Sequence, residues 1–357
     1  MKNNERKKNI LLTVLFTVLA GAVLFTSRTG TRVKASDYDV KCAAYDRMEA
    51  CMEAVKKYRE ETGIPLSPED RFATGLIGLE WSGTSTTLGS LEAKRTTANP
   101  AMAALLVEML TEAGLKEGCT VGIGASGSFP ALNIAAVSAC NELGIRVVIL
   151  PSVGSSAWGA NHPALPFPVM LERLRRDALL TCDVPFVTWG GDYDTGAEMT
   201  PDDKTQAEEA LSAFGLIPVQ ETDYARNIAM RQEAYGAIDC FIGIGGHWTT
   251  LGSNAEETLP AGVIMPSETL RPVRENSGLI ARYHADGLPV FNLLNIREIA
   301  ADYDLAFDPA SLPARGESSV FFRTRYPKLP ALFALLFTGI VLFLFRKQKR
   351  DVSSATQ

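Results

Sequence analysis

The stretch TVGIGASGSFPALNIAAVSACNELGIRVVIL, residues 120–150, decides the fold of this chain. It opens with a short apolar run at 120–123 and closes with another at 146–150, and both have the length typical of buried strands. Between them, residues 130–143 begin with a proline and carry apolar side chains at helical spacing. The pattern predicts a βαβ unit, in which two parallel strands are joined by a right-handed crossover.

The alternation of strands and helices continues on both sides of this unit. Predicted helices precede it at 37–62 and 100–114, and two more follow it at 201–214 and 224–235. Further predicted strands lie at 184–188, 216–219, 240–244, 263–265 and 289–293. Since no linker rich in Pro, Gly or Ser interrupts this segment, we expect one α/β domain with a mostly parallel, doubly wound sheet.

Apolar runs lie near both ends of the chain, at residues 10–25 and 329–345. Each is close to the ~17-residue lower limit for a helix that crosses a bilayer. Lysine and arginine precede the first run and follow the second, and these residues collect on the cytoplasmic side of membranes. The pattern predicts a transmembrane helix and a cytoplasmic tail in each of the segments 1–34 and 328–357, with 35–327 as an extracytoplasmic domain in between. Alternatively, the first run is a signal peptide cleaved after residues 33–35, and the second run alone anchors the protein.

Charge is distributed unevenly along the chain. The two tails contain twelve of the 35 Lys and Arg residues but only two of the 41 Asp and Glu residues, so the segment 35–327 has a formal net charge of −16. This excludes nucleic acid or another polyanion as a ligand of the whole surface, and an anionic ligand needs a local pocket of donors. The six cysteines contain no CxxC pair and the three histidines lie on separate segments, so neither a metal site nor a cofactor is predicted.

The loop after the first strand of the βαβ unit is the strongest candidate for a ligand site, because ligands of open α/β sheets bind at the carboxyl ends of the strands. Gly122, Gly124 and Gly127 form a GxGxxG pattern, which continues into Ser128. These four residues are predicted ligand contacts, and the backbone N–H groups at the start of the following helix are predicted to hold a phosphate or carboxylate. A dinucleotide is disfavoured because the acidic residue expected about 20 residues later is missing.

The same loop nearly matches the nucleophile elbow of α/β hydrolases, with Ser126 at its centre. Asp192 or Asp194 and then His247 follow in the order serine, acid, histidine, so a catalytic triad of Ser126, Asp192 and His247 is one hypothesis. The alternative is that the loop makes a tight turn in which Ser128 caps the next helix.

Other segments contain polar residues suited to a ligand at the strand ends. The motif Thr-Thr-Leu-Gly-Ser occurs twice, at 86–90 and 249–253, each time shortly after a tryptophan. Lys94 and Arg95 are cations that suit a carboxylate, unless they pair with Glu92 at the surface. The predicted ligand contacts of these segments are Thr86, Thr87, Lys94, Arg95, Ser155, Ser156, Asn161, Gly246 and Thr249.

Three motifs in the central segment resemble one known family. They are GLEWSG at 78–83 with LEAKRT at 91–96, GASGSFPALN at 124–133, and SVGSSAWGAN at 152–161. Through them the chain, over roughly residues 37–300, is similar to the bacterial poly-γ-glutamate system protein family. That family is associated with the synthesis and export of poly-γ-glutamate, a capsular or secreted polyanion. The resemblance implies a pathway of capsule biosynthesis and no particular reaction.

The resemblance and the predicted topology together lead to one leading hypothesis and two rivals. The leading hypothesis is a membrane-anchored accessory protein that binds γ-glutamyl polymer, or the membrane subunits of the synthase, through its glycine- and serine-rich loops. One rival is a serine hydrolase or transferase of γ-glutamyl bonds. The other is a phosphate- or nucleotide-binding enzyme that uses the loop 122–128.

Overall fold

The computed structural model describes residues 2–253 and 259–354. The chain forms two compact units, a terminal unit of Met1–Ala35 with Phe322–Gln357 and a central unit of Ser36–Phe321. In chain order the helices and strands are α1 (Lys2–Arg28), β1 (Thr31–Lys34), α2 (Tyr38–Glu61), β2 (Ser85–Thr87), α3 (Leu91–Thr97), α4 (Ala101–Glu112), β3 (Thr120–Ala125), α5 (Pro130–Glu142), β4 (Arg146–Pro151), β5 (Ser155–Ser156), α6 (Phe167–Arg176), β6 (Val187–Thr188), α7 (Pro201–Ser212), β7 (Pro218–Val219), α8 (Tyr224–Tyr235), β8 (Cys240–Ile244), α9 (Trp248–Leu251), β9 (Gly262–Ile264), α10 (Leu279–Ala285), β10 (Val290–Leu293), α11 (Ile296–Asp302), β11 (Phe322–Arg325) and α12 (Leu329–Ser354).

The helices of the terminal unit differ in the length of their apolar parts. Within α1, the segment Asn9–Arg28 has 20 residues and a mean hydropathy of 2.3, and it is the one helix among the described residues that is long and apolar enough to cross a membrane. The apolar part of α12 is shorter and covers Leu329–Leu344. The prediction of an apolar N-terminal helix is confirmed, whereas the apolar part of the C-terminal helix is shorter than the ~20 residues of a typical span.

A short antiparallel sheet joins the two ends of the terminal unit. β1 pairs with β11, so that Thr31 lies opposite Arg325 and Lys34 lies opposite Phe322. The helices α1 and α12 adjoin these strands and pack against each other. Both helices therefore lead away from the sheet toward the chain ends in the same direction. This pairing also makes the central unit shorter than the expected domain 35–327, because residues 322–325 belong to the terminal sheet.

A five-stranded sheet with the order β4-β3-β8-β10-β9 forms the centre of the central unit. β3 is parallel to β4 and to β8, β10 is parallel to β8, and β9 runs antiparallel to β10. The predicted βαβ unit is β3-α5-β4. All residues of β8 and β10 are buried, as is typical of strands covered on both faces. The expectation of a mixed α/β protein with mostly parallel strands is confirmed.

Gly122 and Gly124 both lie within this sheet, although the predicted strand ended at residue 123 and Gly124 was expected in the turn after it. β3 continues to Ala125, so both glycines are strand residues. A Cβ atom on Gly122 would stand 3.0 Å from Tyr235 Cδ1, and one on Gly124 would stand 2.8 Å from Thr250 Oγ1. The two glycines therefore make room for side chains that pack on the sheet, where a larger residue would collide.

The strands around the edge of the sheet are shorter than predicted or were not predicted. β6 and β7 have two residues each and pair with each other, and one bridge between Ser152 and Thr188 joins them to the end of β4. β2 pairs in parallel with β5. Neither partner of the second pair has a clear strand pattern in the sequence, yet the pairing holds the loop before α3 against the loop after β4.

Candidate functional site

A cavity lies where the chain connections diverge from the central sheet. β3 connects through α5 to β4 on one side, and its neighbour β8 on the other side connects onward to β9 and β10. Ligands of α/β proteins bind in the crevice at such a switch point, beyond the carboxyl ends of the strands. A cavity of about 700 Å³ occupies this position.

Loops from most of the sheet contribute to the cavity wall. The lining residues include Thr86, Thr87, Ser126, Ser128, Asp192, Glu198, Gly246, His247, Trp248, Asn292, Asn295 and Glu298. Both Thr-Thr-Leu-Gly-Ser motifs reach the wall, although the first forms a strand and the second a helical turn. The lining includes the acids Asp192, Glu198 and Glu298, and no lysine or arginine of the described residues belongs to it. The wall is thus built to attract cations rather than polyanions.

The serines after β3 form a hydrogen-bonded cluster at the cavity. The Ser126 hydroxyl donates to Ser128 Oγ at 2.9 Å and accepts the Ser128 N–H at 3.2 Å. Ser128 Oγ also accepts the backbone N–H of Ser156 at 2.9 Å. The cap of α5 is Phe129, which makes no side-chain capping bond, so Ser128 does not cap this helix. Its hydroxyl instead ties the loop after β3 to β5.

Lys94 lies behind this serine cluster. Its side chain is 2% exposed, and Nζ donates to Ser156 Oγ at 2.8 Å and to the backbone oxygen of Ser128. Nζ also lies 3.5 Å from the centre of the Phe129 ring. Among the described residues no carboxylate forms a salt bridge with Lys94, and burial lowers the pKa of its amine to about 7. Burial therefore disfavours the charged form of this amine.

His247 contacts partners through both of its ring nitrogens. Nδ1 accepts the N–H of Thr249 at 3.3 Å and lies 2.8 Å from Thr249 Oγ1, so the histidine caps α9. Nε2 lies 3.3 Å from Asp194 Oδ1 but outside hydrogen-bond alignment. Within the described parts of the chain no hydrogen bond joins His247 to Ser126. The two residues line one cavity, but the histidine is oriented toward the acid and the cap.

The acid beside His247 is Asp194, whereas the triad hypothesis named Asp192. Asp194 is 1% exposed and accepts bonds from Arg231 Nη2 at 2.5 Å, Asn227 Nδ2 at 3.1 Å and the Gly190 N–H at 2.9 Å. Burial by itself would raise the pKa of Asp194, but the Arg231 guanidinium and His247 hold it well below its usual range. Asp192 is exposed at the cavity wall.

The backbone of the loop after β6 determines which acid is buried. Gly190 and Gly191 have φ values of 73° and 71°, and Tyr193 and Asp194 have φ values of 53° and 59°. Non-glycine residues seldom adopt this left-handed region, and strained residues of this kind cluster at functional sites. The reversal turns Asp194 inward and leaves Asp192 at the surface.

The remaining predicted contacts hold the loops together or lie away from the cavity. Ser155 Oγ donates to the Gly127 oxygen at 3.1 Å, and the buried Asn161 bonds both backbone groups of Leu79. Arg95 donates to the Glu69 backbone oxygen at 2.9 Å and to the Glu69 carboxylate. Neither Lys94 nor Arg95 forms a salt bridge with Glu92 among the described residues. Of the predicted residues, Thr86, Thr87, Ser126, Ser128, Asp192, Gly246 and His247 line the cavity.

Several lining residues were not predicted from the sequence. Asn292 belongs to β10, and Asn295 and Glu298 begin α11. The Asn292 amide donates to the Pro260 oxygen at 2.9 Å, while its Oδ1 is buried without a hydrogen-bond partner among the described residues. The rule that ligands collect at strand ends would have indicated Asn295, since it follows the strand predicted at 289–293.

The described residues contain neither a cluster of side chains that could hold a metal ion nor a disulfide bond. No group of three or more His, Cys, Asp or Glu side chains there is arranged to hold a metal ion. The six cysteines are free thiols, and five of them are buried.

Comparisons of the chain with protein-family models, with curated proteins and with solved structures found no match.

Proposed function

We propose that the protein is a membrane-anchored accessory factor of poly-γ-glutamate synthesis or export, and that its cavity binds one end of a γ-glutamyl chain. The observation that carries this proposal is the convergence of the motifs that resemble the poly-γ-glutamate system family. They are separated by up to about 80 residues in sequence, yet they form one connected set of loops around the cavity.

Hydrogen bonds connect each of these motifs to another. Thr84, next to the first motif, donates to the Asn161 oxygen at 2.7 Å. Lys94 of the second part of that motif donates to Ser156 at 2.8 Å, and Ser155 donates to Gly127 at 3.1 Å. Loops with only separate packing roles would not need to meet at one cavity. Their convergence supports a shared role in binding a ligand.

The chemistry of the wall favours a chain end over the middle of the polymer. Ionised carboxylates repeat along poly-γ-glutamate, and the acids Asp192, Glu198 and Glu298 repel such a run. The amino-terminal residue of the chain, however, carries an α-ammonium group beside its α-carboxylate. The acids suit the ammonium group, and so does Asn292 Oδ1, which has no hydrogen-bond partner among the described residues; the Ser128 hydroxyl suits the carboxylate.

The proposed location places both chain termini in the cytoplasm and the central unit outside. The parallel exit of α1 and α12 from the terminal sheet supports a common side for the two termini. In this proposal α12 crosses the membrane beside α1, and the long side chain of Arg346 reaches the headgroups and compensates for the short apolar part of the helix. An outer location would allow the protein to meet the emerging polymer or the membrane subunits of the synthase.

Gene deletion in a bacterium that produces the polymer tests this proposal. We expect altered yield, length or release of poly-γ-glutamate, restored by the wild-type gene but not by a gene that carries Asn292→Leu. Normal polymer in the deletion strain would overturn the proposal. In solution, a γ-glutamyl oligomer should bind more tightly than the same oligomer with an acetylated amino terminus, and equal binding would contradict recognition of the chain end.

A serine hydrolase or transferase of γ-glutamyl bonds is the second candidate function. It is favoured by the position of Ser126, whose hydroxyl lies at the cavity within a hydrogen-bonded cluster. The nucleotide-binding alternative lacks comparable support, because two of its three glycines pack inside β3.

A further inference from the structure

An apolar groove lies in the terminal unit between α1 and α12. Its volume is about 420 Å³, within the roughly 300–1,000 Å³ of small-molecule pockets. The groove lies where the two helices adjoin the sheet of β1 and β11, because its lining comes from the end of α1 and the start of α12. Most of the wall consists of small and aliphatic side chains, which are Leu19, Ala22, Val23, Ala331, Ala334 and Leu335. Such a wall suits a hydrocarbon chain.

A polar group at the sheet end of the groove lacks a partner. Thr26 is the third residue from the end of α1 and lines the groove, and its hydroxyl is buried without a hydrogen-bond partner among the described residues. A hydroxyl in apolar surroundings costs free energy unless it is hydrogen-bonded. In the proposed location, with Asn9–Arg28 across the bilayer, this end of the helix lies near the boundary between hydrocarbon and headgroups. An ester oxygen of a lipid in the groove is a suitable acceptor for the Thr26 hydroxyl.

The sheet beyond this end of the groove is strongly basic. Its eight residues include no acid and four cations, which are Arg32, Lys34, Arg323 and Arg325. Arg32 lies opposite Thr324 and Lys34 lies opposite Phe322. Since alternate residues of a strand share a face, Arg32 and Lys34 lie on one face and the other two cations lie on the opposite face. The contact of the Arg32 guanidinium with the Phe322 ring, at 3.7 Å from its centre, agrees with this arrangement.

The face with Arg32 and Lys34 is the one that continues into the groove. Tyr326 lines the groove and follows Thr324 by two residues, which places both on the same side of the chain. The packing agrees, because a Cβ on Gly30 would lie 2.6 Å from Thr324 Cγ2 and 2.8 Å from Tyr326 Cε1. Tyrosine is also enriched at the level of lipid headgroups. The structure thus combines an apolar groove, a polar group at its end and a basic surface beyond it.

We propose that this groove and face bind an anionic phospholipid, with an acyl chain between the helices and the phosphate at Arg32 and Lys34. Charge complementarity favours this occupant, because guanidinium and ammonium groups both bind phosphate. A second apolar helix would fill the groove but make no use of the cations, and a γ-glutamyl chain would use the cations but not the groove. The inference rests on the proposed function only for the membrane location of α1 and α12.

Native mass spectrometry of the full chain in detergent tests the proposal. The protein is titrated with an equimolar mixture of phosphatidylglycerol and phosphatidylcholine that carry the same acyl chains, so that only the headgroup differs. Each basic residue near an anionic lipid surface contributes about a fivefold change in binding. We therefore expect phosphatidylglycerol to be retained in preference to phosphatidylcholine by about 10-fold or more. Equal retention of the two lipids would overturn the proposal.

Two double variants with the same loss of charge locate the headgroup. Arg32→Gln with Lys34→Gln should abolish the preference for phosphatidylglycerol. Arg323→Gln with Arg325→Gln removes two charges from the opposite face of the same sheet and should keep most of the preference. An equal loss in both variants would indicate attraction to the basic sheet as a whole and would overturn a site at the groove. Lys34→Gln alone leaves Arg32 in place, so it serves if the first variant does not fold, and it should lose about fivefold.

A second pair of variants tests the groove. Ala331 is exposed and lines the groove, so Ala331→Phe should place a ring there and abolish the tightly held lipid, whichever headgroup it carries. Gly21→Phe is the matched control, because a Cβ at Gly21 meets no atom within 4 Å and Gly21 does not line the groove. The control should retain phosphatidylglycerol like the wild type. Unchanged lipid retention in Ala331→Phe would contradict an acyl chain in the groove and overturn the inference.

A γ-glutamyl oligomer separates this inference from the proposed function. Added to the lipid-loaded wild type, the oligomer should leave phosphatidylglycerol bound, and displacement of the lipid would show that the cations bind the polymer instead. If the two lipids are retained equally while deletion of the gene alters the polymer, the inference fails and the proposed function stands. If phosphatidylglycerol is preferred while deletion leaves the polymer normal, the proposed function fails and the lipid site stands.

Discussion

Replacement of Asp194 by asparagine removes the acid at the centre of the buried network beside the cavity. The side chains of Asp194 and Arg231 are 1% and 3% exposed and lie 2.5 Å apart. In Asp194→Asn the guanidinium stays buried without its counter-charge, which typically costs about 3–5 kcal/mol. For a unit of roughly 290 residues, this corresponds to a fall in Tm of ~5–8 °C.

Differential scanning calorimetry of the full chain in detergent at pH 7 measures this loss. The matched control is Asp192→Asn, because Asp192 lies in the same loop but is exposed. The control should change Tm by about 1 °C or less, as expected for a surface substitution. The double variant Asp194→Asn with Arg231→Met should recover part of the loss, since it removes the uncompensated charge. Salt should have little influence, because buried pairs are weakly screened.

Two outcomes would refute this reasoning. If Asp192→Asn destabilises the protein as much as Asp194→Asn, the assignment of the buried acid is wrong. If Asp194→Asn lowers the free energy of unfolding by less than about 1 kcal/mol, the network does not stabilise the charge of Arg231 as its geometry indicates.

Three further predictions concern pH, packing and thiol reactivity. The pKa of Asp194 is lower in the folded protein than in the unfolded chain, where it is about 3.9. Its contribution to stability is therefore present above about pH 3.9 and is lost as the pH falls toward the folded-state pKa. The difference in Tm between wild type and Asp194→Asn should shrink below about pH 4, and a constant difference would contradict the depressed pKa. Gly124→Val should destabilise the protein by about 1–3 kcal/mol in urea unfolding, because a Cβ at this position would lie 2.8 Å from Thr250 Oγ1. Gly246→Ala is the control and should be nearly neutral, because the nearest atom to a Cβ there is 3.9 Å away. In native protein Cys119 should react with a maleimide before the five buried cysteines, whose reaction requires unfolding, and equal rates for all six would contradict the packing.

Local patterns were sufficient for the framework of the central unit. Strand β8 and helix α8 have the boundaries predicted from apolar periodicity, and α5 begins at the predicted Pro130. The apolar N-terminal helix was equally clear. Periodicity succeeds for these elements because their residues interact mainly with neighbours along the chain or with a uniformly apolar core.

The site was predicted less completely, and the reasons differ from residue to residue. The loop after β3 was found because glycines and serines at a strand end are informative by themselves. Asn292 was not predicted because it lies inside a strand whose other residues are apolar and indicate a buried core position. Gly122 and Gly124 were assigned to a binding loop, although they serve to make room for Tyr235 and Thr250.

The sequence by itself determined the α/β class, the βαβ unit, the acidic central segment and the apolar N-terminal helix, because each follows from composition or from spacing along the chain. Only the tertiary structure decided that Asp194 is the buried acid, since a run of left-handed backbone turns it inward while Asp192 stays exposed. Only the tertiary structure buried Lys94 beside the serine loops, because its partner Ser156 is 62 residues away in the chain and lies in β5. Burial and charge pairing depend on which distant segments come into contact, and local sequence patterns do not predict those contacts.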